Sequence, residues 1–80
     1  MEVVIHVFGG LKDYFDPRFQ IELLDDSRVE GMIERLKALN PQSKHVLDHS
    51  RIAVAERFTE RDYIIHEKDE IYIMPPSSGG

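Results

Sequence analysis

Apolar positions follow a period of two near both ends of this chain and a period of three to four in its middle. Residues 2 to 8, Glu2-Val3-Val4-Ile5-His6-Val7-Phe8, are β-branched and aromatic with almost no turn formers, which predicts a strand. Val3, Ile5 and Val7 fall on one face, and Val4, His6 and Phe8 on the other. Both faces are rather apolar, as expected of a central strand. Gly9-Gly10 ends it, and the stretch to Asp16-Pro17 reads as a turn with one helical turn around Leu11 to Phe15. Arg18 to Leu24 then alternates, with Phe19, Ile21 and Leu23 inward and Arg18, Gln20 and Glu22 outward. It predicts a second strand, antiparallel to the first.

The period changes after Ser27. Ser27-Arg28-Val29-Glu30 has the form of a capping box, in which serine and Glu30 each satisfy an unpaired backbone N–H at a helix start. Asp25 and Asp26 suit the positive end of the helix dipole. Val29, Met32, Ile33, Leu36 and Leu39 make a single apolar stripe, which Asn40-Pro41 stops. Gly31 costs this helix about 1 kcal/mol against alanine, so either a neighbour approaches closely there or the cost is simply tolerated. Residues 42 to 50 are polar around Val46-Leu47 and read as a loop or one short helical turn. Arg51 to Glu56 predicts a third strand, with Ile52 and Val54 on one side and Ala53 and Ala55 on the other. Arg57 to Asp62 reads as a charged turn, Tyr63-Ile64-Ile65 as a short edge strand, and Glu70 to Met74 as the last strand. Pro75-Pro76 ends regular pairing, because proline has no N–H to donate.

One amphipathic helix and one sheet make two layers. A last strand laid parallel to the first, with the helix in a right-handed crossover, is the economical arrangement. The expected fold is therefore α+β, a β-grasp (ubiquitin-like) domain over residues 1–76 with a mixed sheet of about four to five strands on one main helix, followed by a flexible tail at 77–80. Val3, Ile5, Val7, Phe19, Ile21, Leu23, Ile52, Val54, Ile71 and Ile73 form the expected core under the helix. The same register leaves Val4, His6, Phe8, Ala53, Ala55, Tyr72 and Met74 on an open face. Such a face is a candidate protein-binding surface, unless the register is off by one and some of these residues are core.

Composition narrows the chemistry. Eighty residues hold one small core, and 41% hydrophobic with 31% charged residues fits neither a disordered nor a membrane segment. There is no apolar run of the roughly 18 residues that a spanning helix needs, and Met1-Glu2-Val3-Val4 lacks a basic signal-peptide start. A cytoplasmic protein without membrane contact is expected. The net charge of −5 argues against nucleic acid. The absence of cysteine removes disulfides, thiolate metal sites and thiol catalysis. His45 and His49 stand i, i+4, as helical metal ligands do, but no third ligand accompanies them and surface histidines are the expectation, with no metal. Ser77 and Ser78 lack a His/Asp neighbour to activate them.

What remains is the chain end. Gly79-Gly80 has no Cβ and can enter a narrow channel, bringing its carboxylate to a reactive centre elsewhere. That carboxylate is ionised at neutral pH, with a reference pKa of about 3.5, and is a poor acyl donor until ATP converts it to an acyl-adenylate. Pro75-Pro76 stiffens the exit from the sheet. The ending Asp69-Glu70-Ile71-Tyr72-Ile73-Met74-Pro75-Pro76-Ser77-Ser78-Gly79-Gly80 resembles that of the MoaD/ThiS sulfur-carrier family. Phe8-Gly9-Gly10-Leu11-Lys12-Asp13-Tyr14-Phe15 is similar to the segment after the first strand in its MoaD branch, the small subunit of molybdopterin synthase. Lys68 stands where the family usually has a glycine before the last strand.

The resemblance implies a carrier rather than an enzyme, with Gly80 as the reactive group and Gly79 keeping the tail slender. It implies an adenylyltransferase of the MoeB/ThiF type that uses ATP and magnesium, the domain itself binding no cofactor. A persulfide enzyme would supply the sulfur, and the partner receiving it would be a larger MoaE-like catalytic subunit or a thiazole synthase. Phe8, Tyr72, Met74 and Pro75 are the candidate partner-binding residues. Lys12 joins them as a basic residue that would hold an acidic partner or substrate, with a plain surface lysine as the alternative. Three alternatives stay open: a ThiS-like carrier for thiamin thiazole synthesis, a ubiquitin-like modifier joined to lysines through Gly80, and an interaction module that binds by its open face.

Overall fold

The computed structural model describes residues 1–76. Strand β1 (Glu2–Val7) is followed by a 3-10 turn (Gly9–Asp13), β2 (Arg18–Glu22) and helix α1 (Val29–Leu39). A 3-10 turn (Pro41–Ser43) leads into the short helix α2 (Lys44–Asp48), then β3 (Arg51–Val54), β4 (Arg57–Thr59) and β5 (Glu70–Met74). The sheet has five strands in the order β2-β1-β5-β3-β4. β1 and β5 run parallel, Ile5 beside Ile71 and Val7 beside Ile73, and the other neighbours are antiparallel. The expected α+β β-grasp architecture is present, with the last strand beside the first and α1 in the crossover.

Alternation decides the core. Val3, Ile5, Val7, Ile52, Val54, Ile71 and Ile73 are buried on the inner face, opposite Val29, Met32, Ile33 and Leu36 of α1. Phe19 and Ile21 only pack against the rim of this core, because β2 is an edge strand with no neighbour beyond it among the described residues. Leu11, Leu47 and Ile65 complete the core from the connections. Among the described residues no helix is long and apolar enough to cross a membrane.

The local expectations change in several places. Ser27 does not cap α1: its hydroxyl donates to the Leu24 carbonyl at 2.6 Å, and the extended residue before the helix is Arg28. The first helical N–H groups instead meet a distant segment, Val29 donating to the Tyr63 carbonyl at 2.9 Å and Glu30 to that of Arg61 at 2.8 Å. Tertiary carbonyls have taken the orphan donors a cap would serve. Tyr63-Ile64-Ile65 is for that reason no edge strand; it crosses the helix start, touching the sheet pattern only through a bridge between Arg28 and Ile64. The edge strand is β4, within the stretch expected to be a charged turn, and the third strand stops at Val54 rather than Glu56. Ala55 (φ 52°) and Glu56 (φ 65°) both adopt the left-handed region, as the two central residues of a tight hairpin turn between Val54 and Arg57 require. Ala55 therefore belongs to the turn. β2 also ends two residues early, leaving Leu24 exposed. Leu39, the last residue of the apolar stripe, is 57% exposed. An alanine Cβ at Gly31 would meet nothing within 4 Å, so no neighbour explains that glycine.

Candidate functional site

β5 ends at Met74, and Pro75, the residue after it, lies against the loop after β1. Gly9 has φ 55°, and a Cβ there would lie 3.0 Å from Pro75 Cγ. Both its backbone conformation and the approach of the proline ring thus call for glycine. Gly10 would meet nothing within 4 Å. The loop is anchored locally: Leu11 is fully buried, its N–H donates to the Phe8 carbonyl at 3.2 Å, and its own carbonyl accepts from Tyr14 and Phe15. A cleft of about 480 Å³ lies at this exit, lined by Phe8, Gly9, Gly10, Val46, Met74, Pro75 and Pro76.

Met74 also borders a second hollow of about 440 Å³ on the open sheet face, shared with Ala53, Glu70 and Tyr72. The register sets Tyr72 between His6 of β1 and Ala53 of β3, with Phe58 of β4 next in the same row. His6 stacks on Tyr72 (ring centroids 4.5 Å apart, 6° between planes), and Phe8 lies 6.4 Å from Tyr72 on the side of the tail exit. The small Ala53 side chain beside Tyr72 leaves the hollow. His6 Nε2 is 2.7 Å from Glu70 Oε1, an interaction that fixes the imidazole orientation within the stack. At the far end the Arg51 guanidinium lies 3.7 Å over the Phe58 ring, which is 53% exposed.

Four of the expected site residues come together here. Phe8, 44% exposed, and the half-buried Tyr72, Met74 and Pro75 form one continuous surface leading to the tail. Lys12 is exposed on the 3-10 turn but does not line the cleft, and it makes no ion pair among the described residues. Gly79 and Gly80 lie outside the described residues. Val46 in the cleft wall, and the Arg51–Phe58 pair, were not anticipated as site residues. Val46 carries only the signal of an apolar pair in a polar stretch, and Phe58 sits where no strand was expected. His45 and His49 are exposed, with the His49 ring nitrogen Nδ1 2.9 Å from the His45 carbonyl oxygen. No group of three or more His, Cys, Asp or Glu side chains among the described residues is placed to hold a metal ion.

A mixed sheet with parallel first and last strands, wrapped on one crossover helix, defines the ubiquitin-like β-grasp class. Within that class the chain belongs to the ThiS family, whose model matches residues 5–80. It is 41% identical over 59 residues to the molybdopterin synthase sulfur carrier subunit of Dictyostelium discoideum, covering 71% of this chain and 69% of that protein. The fold is shared with SAMP1 of Haloferax volcanii (TM-score 0.84, 18% identity, all of both chains). It is also shared with a protein described as a putative molybdopterin converting factor subunit 1 from Pyrococcus furiosus (TM-score 0.83, 24% identity, 95% of this chain and 98% of that one). Subunit 1 and 2 of the molybdopterin-converting factor of Helicobacter pylori were solved as a complex, and this too matches (TM-score 0.71, 21% identity, all of both chains).

Proposed function

We propose that this protein is a sulfur carrier of the molybdopterin synthase small-subunit type, acting in the cytoplasm through the carboxylate of Gly80. The observation that carries the reading is the junction of Pro75 with Gly9, which sets the base of the tail at the rim of the Phe8–Tyr72–Met74 surface. A partner seated on that surface receives the tail from a fixed direction, and only the last residues need to extend into its active site. The 41% identity to a molybdopterin synthase sulfur carrier subunit supports the pathway.

The chemistry belongs to the partners. An adenylyltransferase of the MoeB/ThiF type binds ATP and magnesium; a Gly80 carboxylate oxygen attacks the α-phosphorus and pyrophosphate leaves. The terminal sulfur of an enzyme persulfide then attacks the acyl carbon and AMP departs. A second thiol takes the other sulfur as a disulfide, releasing the thiocarboxylate. A larger MoaE-like catalytic subunit accepts that sulfur for a molybdopterin precursor. This chain supplies the docking face, the stiff exit and the slender end, with no active site of its own.

Intact mass of the protein isolated from its host tests the proposal. The expected result is a species heavier by the exchange of one oxygen for sulfur, absent from a variant lacking Gly79-Gly80. Branched adducts on other proteins would instead identify a modifier. An unaltered mass with partner binding retained after tail deletion would identify an interaction module.

A further inference from the structure

The edge strand β2 presents backbone groups in a self-complementary pattern. Met1 and Leu23 exchange both main-chain bonds, at 2.7 and 2.8 Å, and Val7 donates to the Pro17 carbonyl at 3.0 Å. In the observed register the hydrogen-bonded positions therefore alternate through Leu23, Ile21, Phe19 and Pro17. The N–H and C=O groups of Arg18, Gln20 and Glu22 consequently point away from β1, and among the described residues no strand lies beyond them.

A two-fold axis through Gln20 would place these same residues opposite one another in an antiparallel pair: Arg18 against Glu22, Gln20 against Gln20, and Glu22 against Arg18. Each such pair exchanges two hydrogen bonds, and opposite charges meet at both ends. All three side chains are exposed; Glu22 stands opposite Glu2 of β1, and among the described residues its one ion pair is with the N-terminal ammonium at 3.4 Å. On the helix side Phe19 would meet Ile21 of the other copy. Both are incompletely buried here and border a cleft of about 410 Å³ that continues to the exposed Leu39. Backbone register, charge and apolar surface all select the same partner, which is another copy of this strand.

We propose that two copies of this chain associate through β2 in antiparallel register about Gln20, making one sheet continuous across both. The pairing is isologous and closes on itself, so it yields a dimer rather than a fibre. β1 and the whole of β5 lie on the other side of β2, so the aromatic face and the tail exit stay open in both copies. The inference does not rest on the sulfur-carrier reading.

Sedimentation equilibrium of the full chain tests it, up to about 1 mM, the range in which small contacts associate. The expected mass rises with concentration from 9.3 kDa toward twice that value. Arg18→Glu and Glu22→Arg each place like charges opposite at two symmetric sites and should weaken the dimer about tenfold. The double variant Arg18→Glu/Glu22→Arg should restore it. Gln20→Pro removes an outward N–H that the fold does not use, so it should stay folded by circular dichroism and remain monomeric. A wild-type protein that is monomeric throughout overturns the proposal. So does a folded Gln20→Pro that dimerises normally, or a charge swap that fails to rescue.

Discussion

At the scale of single residues, three glycines that look alike in sequence have three different roles. Gly9 is held in the left-handed region with Pro75 Cγ 3.0 Å from where a Cβ would stand. Gly9→Ala should therefore cost about 1–3 kcal/mol and displace the base of the tail. Gly10→Ala, with nothing within 4 Å, should leave the urea midpoint almost unchanged. Gly31 stands exposed in the first turn of α1 with open space around it. Gly31→Ala should add about 0.5–1 kcal/mol, read as a melting temperature higher by roughly 4 °C. The dipeptide Gly9-Gly10 announces a turn to any reader of the sequence. Which of the two glycines is indispensable depends on a proline ring sixty-six positions away along the chain.

At the scale of elements, the β3–β4 hairpin is made with residues ill suited to it. Ala55 and Glu56 occupy left-handed conformations that Asn-Gly adopts at far less cost. Ala55→Asn/Glu56→Gly should raise stability by about 1–2 kcal/mol in urea unfolding. This mismatch of residue and turn type is also why β4 was illegible: an Ala-Glu pair carries none of the usual hairpin signal. The link between α1 and α2 is electrostatic and responds to pH. Asp48 accepts hydrogen bonds from Lys37 and Lys44, and those bonds lower its carboxyl from 3.8 to about 2. Its folded value lies below its ordinary one, so its stabilisation is full above 3.8 and disappears as pH falls through about 2. Lys37 is raised above 10.5 by its hydrogen bonds to Asp48 first and Glu34 second, so its share is lost only at strongly alkaline pH. Asp48→Asn should flatten the acid limb of stability against pH and converge with wild type below about pH 2.

At the scale of the molecule, the sheet has one face buried under α1 and one face left open. Val3, Ile5 and Val7 are buried under α1, while their neighbours His6 and Phe8 stack with Tyr72 in the open. Phe8 is 44% exposed, so Phe8→Ser should shift stability by no more than about 0.5 kcal/mol. If the proposed docking face is correct, the same variant should weaken association with the adenylating partner about tenfold or more, measured by titration calorimetry. Loss of folding without loss of affinity would show that Phe8 serves the core instead.

The period-two and period-three patterns by themselves determined β1, β2, α1, β3 and β5 and most of the buried set. They could do so because side-chain alternation is a local property that reports which face of an element is buried. Only the tertiary structure decided that the N–H groups of α1 are satisfied by the Arg61 and Tyr63 carbonyls, that Tyr63-Ile64-Ile65 crosses the helix start and forms no edge strand, and that Gly9 lies against Pro75. Tertiary structure also gathered Phe8, Tyr72 and Met74 around the tail exit and left the groups of Arg18, Gln20 and Glu22 facing outward. Those outcomes depend on which strand lies beside which, and pairing joins residues far apart in the chain, where no local period can reach.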